Sequence, residues 1–112
     1  MNVRGLFLSF VTCLSCATSD ANAVTVRGSR SCGEWMEAHQ SSEPSVASNA
    51  TENWLIGYLS GLAVGKRKDF IVGTDNASLF LWVTDYCRAN PLDYLDDAGV
   101  RLSAELARRK GL

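Results

Sequence analysis

The apolar segment NWLIGYLSGLAVGK, residues 53–66, restricts the folds open to this 112-residue chain more than any other stretch. Its large apolar side chains recur at helical intervals and form one broad face: Trp54, Leu55, Tyr58, Leu59 and Leu62. The segment holds about a dozen apolar or small residues, fewer than the roughly 20 that a membrane span needs. We therefore predict a core helix from about Glu52 to Gly65, and no membrane span.

Three glycines interrupt this helix at intervals of four residues: Gly57, Gly61 and Gly65. Each costs up to about 1 kcal/mol of helix propensity relative to alanine. They share one ridge of the helix, and the missing side chains would let a second helix approach closely. We predict that this glycine ridge is a helix-packing surface inside the fold.

A first helix is predicted before this segment. Ser31 and Glu34 have the spacing of a capping box, in which each side chain accepts a hydrogen bond from the other residue's backbone. Cys32 and Trp35 then share one helical face. Residues 40–50, QSSEPSVASNA, are rich in serine and lack periodicity, so they are predicted to be a loop.

Two more helices are predicted after the segment. Thr74 or Asp75 can cap a third helix, which Pro91 ends. Asn90 as N-cap and Pro91 at the first helical position begin a fourth. Because no stretch alternates apolar and polar residues over a strand's length, the predicted fold is all-α, a small bundle of about four helices.

The N-terminal residues have the pattern of a secretory signal peptide. Arg4 precedes a short apolar run at residues 6–14, and Ala21-Asn22-Ala23 is a small-x-small cleavage site. Lipidation at Cys16 is the alternative, although an aliphatic residue is missing three positions before it. We predict cleavage near Ala23 and a periplasmic or secreted product.

Cleavage would divide the chain into a signal peptide (1–23), a polar leader expected to be mobile (24–30) and a helical domain (31–112). The mature chain would have about 89 residues, enough for one domain with a modest core. Two of the four cysteines would remain, Cys32 and Cys87. A pair of cysteines in a small exported chain most simply forms one disulfide, with two free thiols as the alternative.

The charge is balanced. Removing Arg4 and Asp20 with the signal leaves ten Lys/Arg against eleven Asp/Glu. No strong field would attract nucleic acid, so none is predicted as a partner. At strongly acid pH the carboxylates would be protonated, and the ten basic residues and His39 would make the chain heavily cationic.

Catalytic and metal sites are not predicted. Ser60 stands one position late for a Gly-x-Ser-x-Gly nucleophile elbow, no strand precedes it, and His39 is the single histidine that could act as base. Three nearby carboxylates at the start of the last helix suit its dipole better than a calcium ion: Asp93, Asp96 and Asp97. We predict a protein that is not an enzyme and takes no metal or cofactor.

Lys66, Arg67 and Lys68 form the sharpest charge cluster. They are candidate contacts for an acidic partner or for anionic head groups. Cations also stabilise a helix C-terminus by a few tenths of a kcal/mol or more, and we favour this structural role.

Each of the three tryptophans falls on a predicted inner face, and one with an exposed ring would be an interface candidate: Trp35, Trp54 and Trp82.

Several of these features together resemble the HdeA/HdeB-like group of small exported helical proteins. The most specific are Trp-Leu-x-Gly-Tyr at residues 54–58 and Tyr-Cys-Arg-Ala-Asn-Pro at residues 86–91. The resemblance covers Cys32 to about Leu106 and implies a helical periplasmic protein with one disulfide; the best known members are acid-stress chaperones. A more distant similarity is to Tai-type immunity proteins of type VI secretion.

Two functions follow as expectations. The first is a chaperone that loosens when its carboxylates are protonated and then binds unfolding client proteins through apolar surface. The second is an immunity-type protein that binds and neutralises a secreted toxin. A homodimer is also expected to be accessible, because four short helices leave apolar surface to cover.

Overall fold

The computed structural model describes Gly5 and residues 24–112, so the predicted signal peptide, apart from Gly5, lies outside the described residues. The described chain forms four helices: α1 (Cys32–Ala38), α2 (Val46–Lys66), α3 (Asn76–Ala89) and α4 (Leu95–Arg109). Within residues 24–112 there is no strand, only an isolated bridge between Ser31 and Tyr94. The prediction of an all-α fold with about four helices is confirmed.

Helix α2 is longer than predicted because it begins at Val46, inside the stretch expected to be a loop. Ser45 is its N-cap. The Ser45 hydroxyl accepts a hydrogen bond from the Ser48 backbone at 3.0 Å, and the Ser48 hydroxyl accepts one from the Ser45 backbone at 2.8 Å. This reciprocal pair is a capping box in which Ser48 occupies the third helical position, where glutamate is usual. The loop prediction was therefore wrong for residues 46–50.

Helix α4 is shorter than predicted, since it begins at Leu95 and not at Pro91. Asn90 instead closes α3, where its backbone donates to the Tyr86 carbonyl at 2.8 Å. The connection between α3 and α4 is then hydrogen-bonded to the start of α1, where the Cys32 backbone donates to the Asp93 carbonyl at 2.8 Å. These bonds keep the chain out of the helix until Leu95.

Helices α2 and α4 run in the same direction. Tyr58 on α2 faces Gly99 on α4. About two turns further along α2, Lys66 donates a hydrogen bond to Ser103, which lies about one turn further along α4. The two longest helices therefore bring both of their C-terminal ends to one end of the molecule. Their shared interior is apolar, and its largest fully buried side chains come from all four helices and the connection after α2: Trp35, Leu55, Leu59, Phe70, Leu79, Val83, Leu95 and Leu102.

The predicted disulfide joins Cys32 at the start of α1 to Cys87 near the end of α3. The two Cα atoms are 4.9 Å apart, and both residues are fully buried. For a closed loop of about 55 residues, the chain-entropy model gives a stabilisation of roughly 4 kcal/mol. The whole of α2 lies inside that loop.

The glycine ridge is not a packing surface in this fold. Gly57, Gly61 and Gly65 are exposed, and a Cβ atom added at any of them would meet nothing within 4 Å. The close approach occurs at Gly99 on α4, where an added Cβ would lie 2.7 Å from Cδ1 of Tyr58. The prediction of a packing ridge was therefore wrong, and the close contact at Gly99 was not predicted.

The leader, predicted to be mobile, is hydrogen-bonded to the bundle from Arg27 onward. The Arg27 carbonyl accepts from Nε1 of Trp54 at 2.9 Å, and the Ser29 hydroxyl donates to Asp96 at 2.6 Å. Gly28 lies between them with a φ of 76°, directly against the indole of Trp54. A larger residue would meet both the backbone strain and this ring, so Gly28 lets the leader lie across α2.

Candidate protein-binding surfaces

The residues considered for catalysis are engaged in structural hydrogen bonds. The Ser60 hydroxyl donates to the Ile56 carbonyl of its own helix at 2.7 Å. The His39 ring joins α1 to α2: Nδ1 lies 2.7 Å from the Trp35 carbonyl and Nε2 lies 2.9 Å from a Glu52 carboxylate oxygen. Serine and histidine therefore form no nucleophile–base pair.

The three carboxylates before and within the first turn of α4 each have their own partner. Asp93 accepts from the Tyr86 hydroxyl, Asp96 from Ser29, and Asp97 from the Tyr94 backbone at 3.1 Å. The hydrogen bond to Asp93 raises the pKa of Tyr86 to about 12. No group of three His, Cys, Asp or Glu side chains within the described part of the chain could hold a metal ion.

The solvent side of α2 has an unusual composition. Every exposed residue of this helix before Lys66 is uncharged. From residue 53 onward these residues form what we call the α2 face: Asn53, Gly57, Ser60, Gly61, Val64 and Gly65. Val64 is 79% exposed. The glycines predicted to pack inside the fold thus lie on a surface that another molecule can approach closely.

An aromatic pair borders the α2 face. The rings of Trp54 and Tyr58 are stacked with centroids 5.0 Å apart, and both residues are partly buried. The indole N–H is anchored on Arg27, and the phenol ring lies against Gly99. Burial, followed by the charges of Asp96 and Asp97, raises the pKa of Tyr58. Of the three tryptophans only Trp35 is fully buried; Trp82, like Trp54, lies at the margin of the core.

The basic cluster lies at the end of the molecule where α2 and α4 both terminate. The Lys66 ammonium donates to the Ser103 hydroxyl of α4 at 3.1 Å, a contact that the sequence analysis did not predict. Arg67 ends α2 in the left-handed conformation with a φ of 53°, a position that glycine usually fills. Arg67 and Lys68 are exposed. They remain the members of the cluster available to a partner.

Two further contacts lie at this end: one had no signal in the sequence, and the other joins residues three and four positions apart, the usual spacing of ion pairs on a helix. The Lys110 ammonium donates to the carbonyls of Phe70 (2.6 Å) and Val72, and so closes the connection between α2 and α3 over the end of α4. Glu105 accepts from Arg108 and Arg109, each at 2.8 Å, and these bonds lower its pKa to about 2. Lys110 could not be found from spacing because its partners are backbone atoms almost forty positions away.

No helix in residues 24–112 is both long and apolar enough to cross a membrane. The chain was also compared with known proteins. No protein-family model, no curated protein and no solved structure matches it.

Proposed function

We propose that this protein is a non-enzymatic periplasmic chaperone of the HdeA/HdeB-like kind, which binds unfolding proteins through the α2 face. One observation carries the proposal: the C-terminal half of α2 presents uncharged small and apolar residues to solvent, beside the Trp54–Tyr58 pair. An extended client segment can come close to a helix backbone where side chains are absent. The neighbouring rings then supply apolar contact area.

Acid would enlarge this surface by weakening the bundle. The pKa values of Glu34, Asp75 and Glu105 are lowered by hydrogen bonds in the folded state, Glu34 chiefly by the Ser31 backbone, Asp75 by Ser78 and Glu105 by Arg108. A carboxylate with a depressed pKa stabilises the fold above its unfolded pKa, and that stability is lost as the pH falls through the folded value. Repulsion among the remaining positive charges acts in the same direction.

The disulfide would limit how far the loosened chain unravels. Cys32 and Cys87 enclose the whole of α2, so α1 and α3 stay covalently linked around it. A chain loosened in acid would expose the buried sides of α2 and still remain compact enough to refold on neutralisation. The expected state is a tethered, partly open bundle.

The test is suppression of aggregation of an acid-denatured client enzyme, measured by light scattering at pH 2.5 and during return to pH 7. Wild type at several-fold molar excess should reduce scattering. The double variant Gly61→Arg/Val64→Arg places two charges on the α2 face and should lose most of the protection. Leu92→Arg/Ala104→Arg adds the same charge at exposed positions elsewhere and should keep it.

Equal protection by the two double variants would contradict the role of the α2 face, and no protection by wild type would contradict the chaperone function. Tight one-to-one binding of a single partner at neutral pH, without protection in acid, would instead support the immunity-type function. A pull-down from periplasm at pH 7 and pH 3 separates these outcomes.

A further inference from the structure

A groove separates α1 from the first turns of α2, on the part of α2 that precedes the α2 face. Its volume is about 510 Å³, within the range of roughly 300–1,000 Å³ typical of ligand sites. Small apolar side chains from both helices line it: Ala38, Ala47 and Ala50. Thr51 also lines it, but its hydroxyl already donates to the carbonyls of Ala47 and Ser48 in its own helix. The alanines therefore offer room for an aliphatic side chain.

The same groove is lined by three carboxylates, those of Glu34, Glu37 and Glu43, and by one guanidinium, that of Arg30. Arg30 is already paired with Glu34 at 3.2 Å, and Glu34 also accepts from the Ser31 backbone. The carboxylates of Glu37 and Glu43 have no ion pair or hydrogen bond to any residue in the described part of the chain. Two unneutralised negative charges thus flank an apolar space.

We propose that this groove binds a short basic and aliphatic segment of a partner protein. Lysine or arginine side chains of the segment lie against Glu37 and Glu43, and an aliphatic side chain between them lies against Ala47 and Ala50. Charge complementarity identifies the occupant: an acidic segment or an anionic membrane surface is repelled by the same carboxylates. The groove differs in residues and in charge from the α2 face, so its occupant is a second kind of partner and does not depend on the chaperone function.

The carboxylates are exposed, so each contributes modestly, and the binding falls steeply with salt.

The experiment is fluorescence polarisation of the chain from Val24 to Leu112 with a fluorescein-labelled peptide of sequence KLKALK, and with ELEALE as the reference. We expect the basic peptide to bind at pH 7 in 50 mM salt and to bind about tenfold more weakly in 300 mM salt, and we expect no binding of the acidic peptide. Spermidine in excess should compete weakly, because it carries charge without an aliphatic side chain.

Two variants test the groove directly. Glu37→Gln/Glu43→Gln should weaken binding about tenfold, at roughly threefold for each exposed charge. Ala50→Leu fills the apolar space and should weaken binding by more than tenfold. The matched controls Asp69→Asn/Asp85→Asn and Ala104→Leu change the same kinds of residue at exposed positions on α3, α4 and the connection after α2, and should bind as wild type does.

The proposal is overturned if the groove variants and their controls bind alike, if ELEALE binds as tightly as KLKALK, or if spermidine displaces the peptide at equal concentration. Loss of chaperone activity in the α2-face variants would leave peptide binding intact. The failure of either proposal can therefore be told apart from the failure of the other.

Discussion

The same substitution, glycine to alanine, should have opposite effects on stability at Gly61 and Gly99. Gly61 lies on the exposed side of α2, where an added Cβ meets nothing within 4 Å. Alanine there gains helix propensity of up to about 1 kcal/mol. For a domain of this size that corresponds to a rise in Tm of roughly 4–8 °C.

At Gly99 the same gain in propensity is opposed by overpacking. The new Cβ would lie 2.7 Å from Cδ1 and 2.8 Å from Cε1 of Tyr58, well inside van der Waals contact. The ring cannot easily withdraw, because it is stacked on Trp54, which is itself bonded to Arg27. Overpacking costs about 1–3 kcal/mol. We expect a net loss, with a Tm lowered by several degrees.

Thermal unfolding followed by far-UV circular dichroism measures both variants, and a double-mutant cycle identifies the cause. In a Tyr58→Leu background the clash partner is removed, so Gly99→Ala should cost less than in wild type and can become stabilising. A destabilising Gly61→Ala, or the same cost of Gly99→Ala with and without the Tyr58 ring, would refute the assignment of the close contact to α4. It would restore the glycine ridge of α2 as the packing surface.

Three further predictions concern covalent and ionic links. Reducing the Cys32–Cys87 disulfide should cost roughly 4 kcal/mol, and a midpoint in urea that does not change with dithiothreitol would show that the link is absent or without effect. Glu105→Gln should lower Tm at pH 7, and the difference from wild type should shrink as the pH falls from 4.5 towards about 2, where half of wild-type Glu105 is protonated. A difference as large at pH 2 as at pH 7 would rule out the ion pairs as its cause. Tyr86→Phe should remove the stability that the hydrogen bond from Tyr86 to Asp93 contributes, which wild type keeps up to pH 10 and loses towards about pH 12, where the phenol ionises. Identical stability–pH profiles of the two proteins above pH 9 would argue against this hydrogen bond.

The fold was predictable where a signal depends on neighbours along the chain. The capping box of Ser31 and Glu34 is present as predicted, and Asp75 caps α3. The disulfide was predicted because only two cysteines follow the predicted signal peptide, and it is formed by that pair. Such signals require only local geometry or simple arithmetic.

The candidate surfaces were harder to predict because they depend on which side of each helix is covered. The apolar period of α2 correctly placed Leu55 and Leu59 in the core. The same period places Gly57 about 160° around the helix from both Leu55 and Leu59, and so on the solvent side. The ridge prediction was wrong because it took the four-residue spacing of the glycines as a sign of packing. Gly99, which does make the close contact, stands alone in α4 without a repeat to draw attention to it.

The position of the disulfide also determines how the protein would respond to mechanical force. If the chain were pulled from Val24 and Leu112, residues 32–87 would be shielded from tension by the covalent link. Only about 33 residues outside the link could extend, giving a contour length of roughly 110 Å, against about 300 Å for the reduced chain. Under load, the oxidised protein would therefore detach α4 and the leader while α1, α2 and α3 bore no tension.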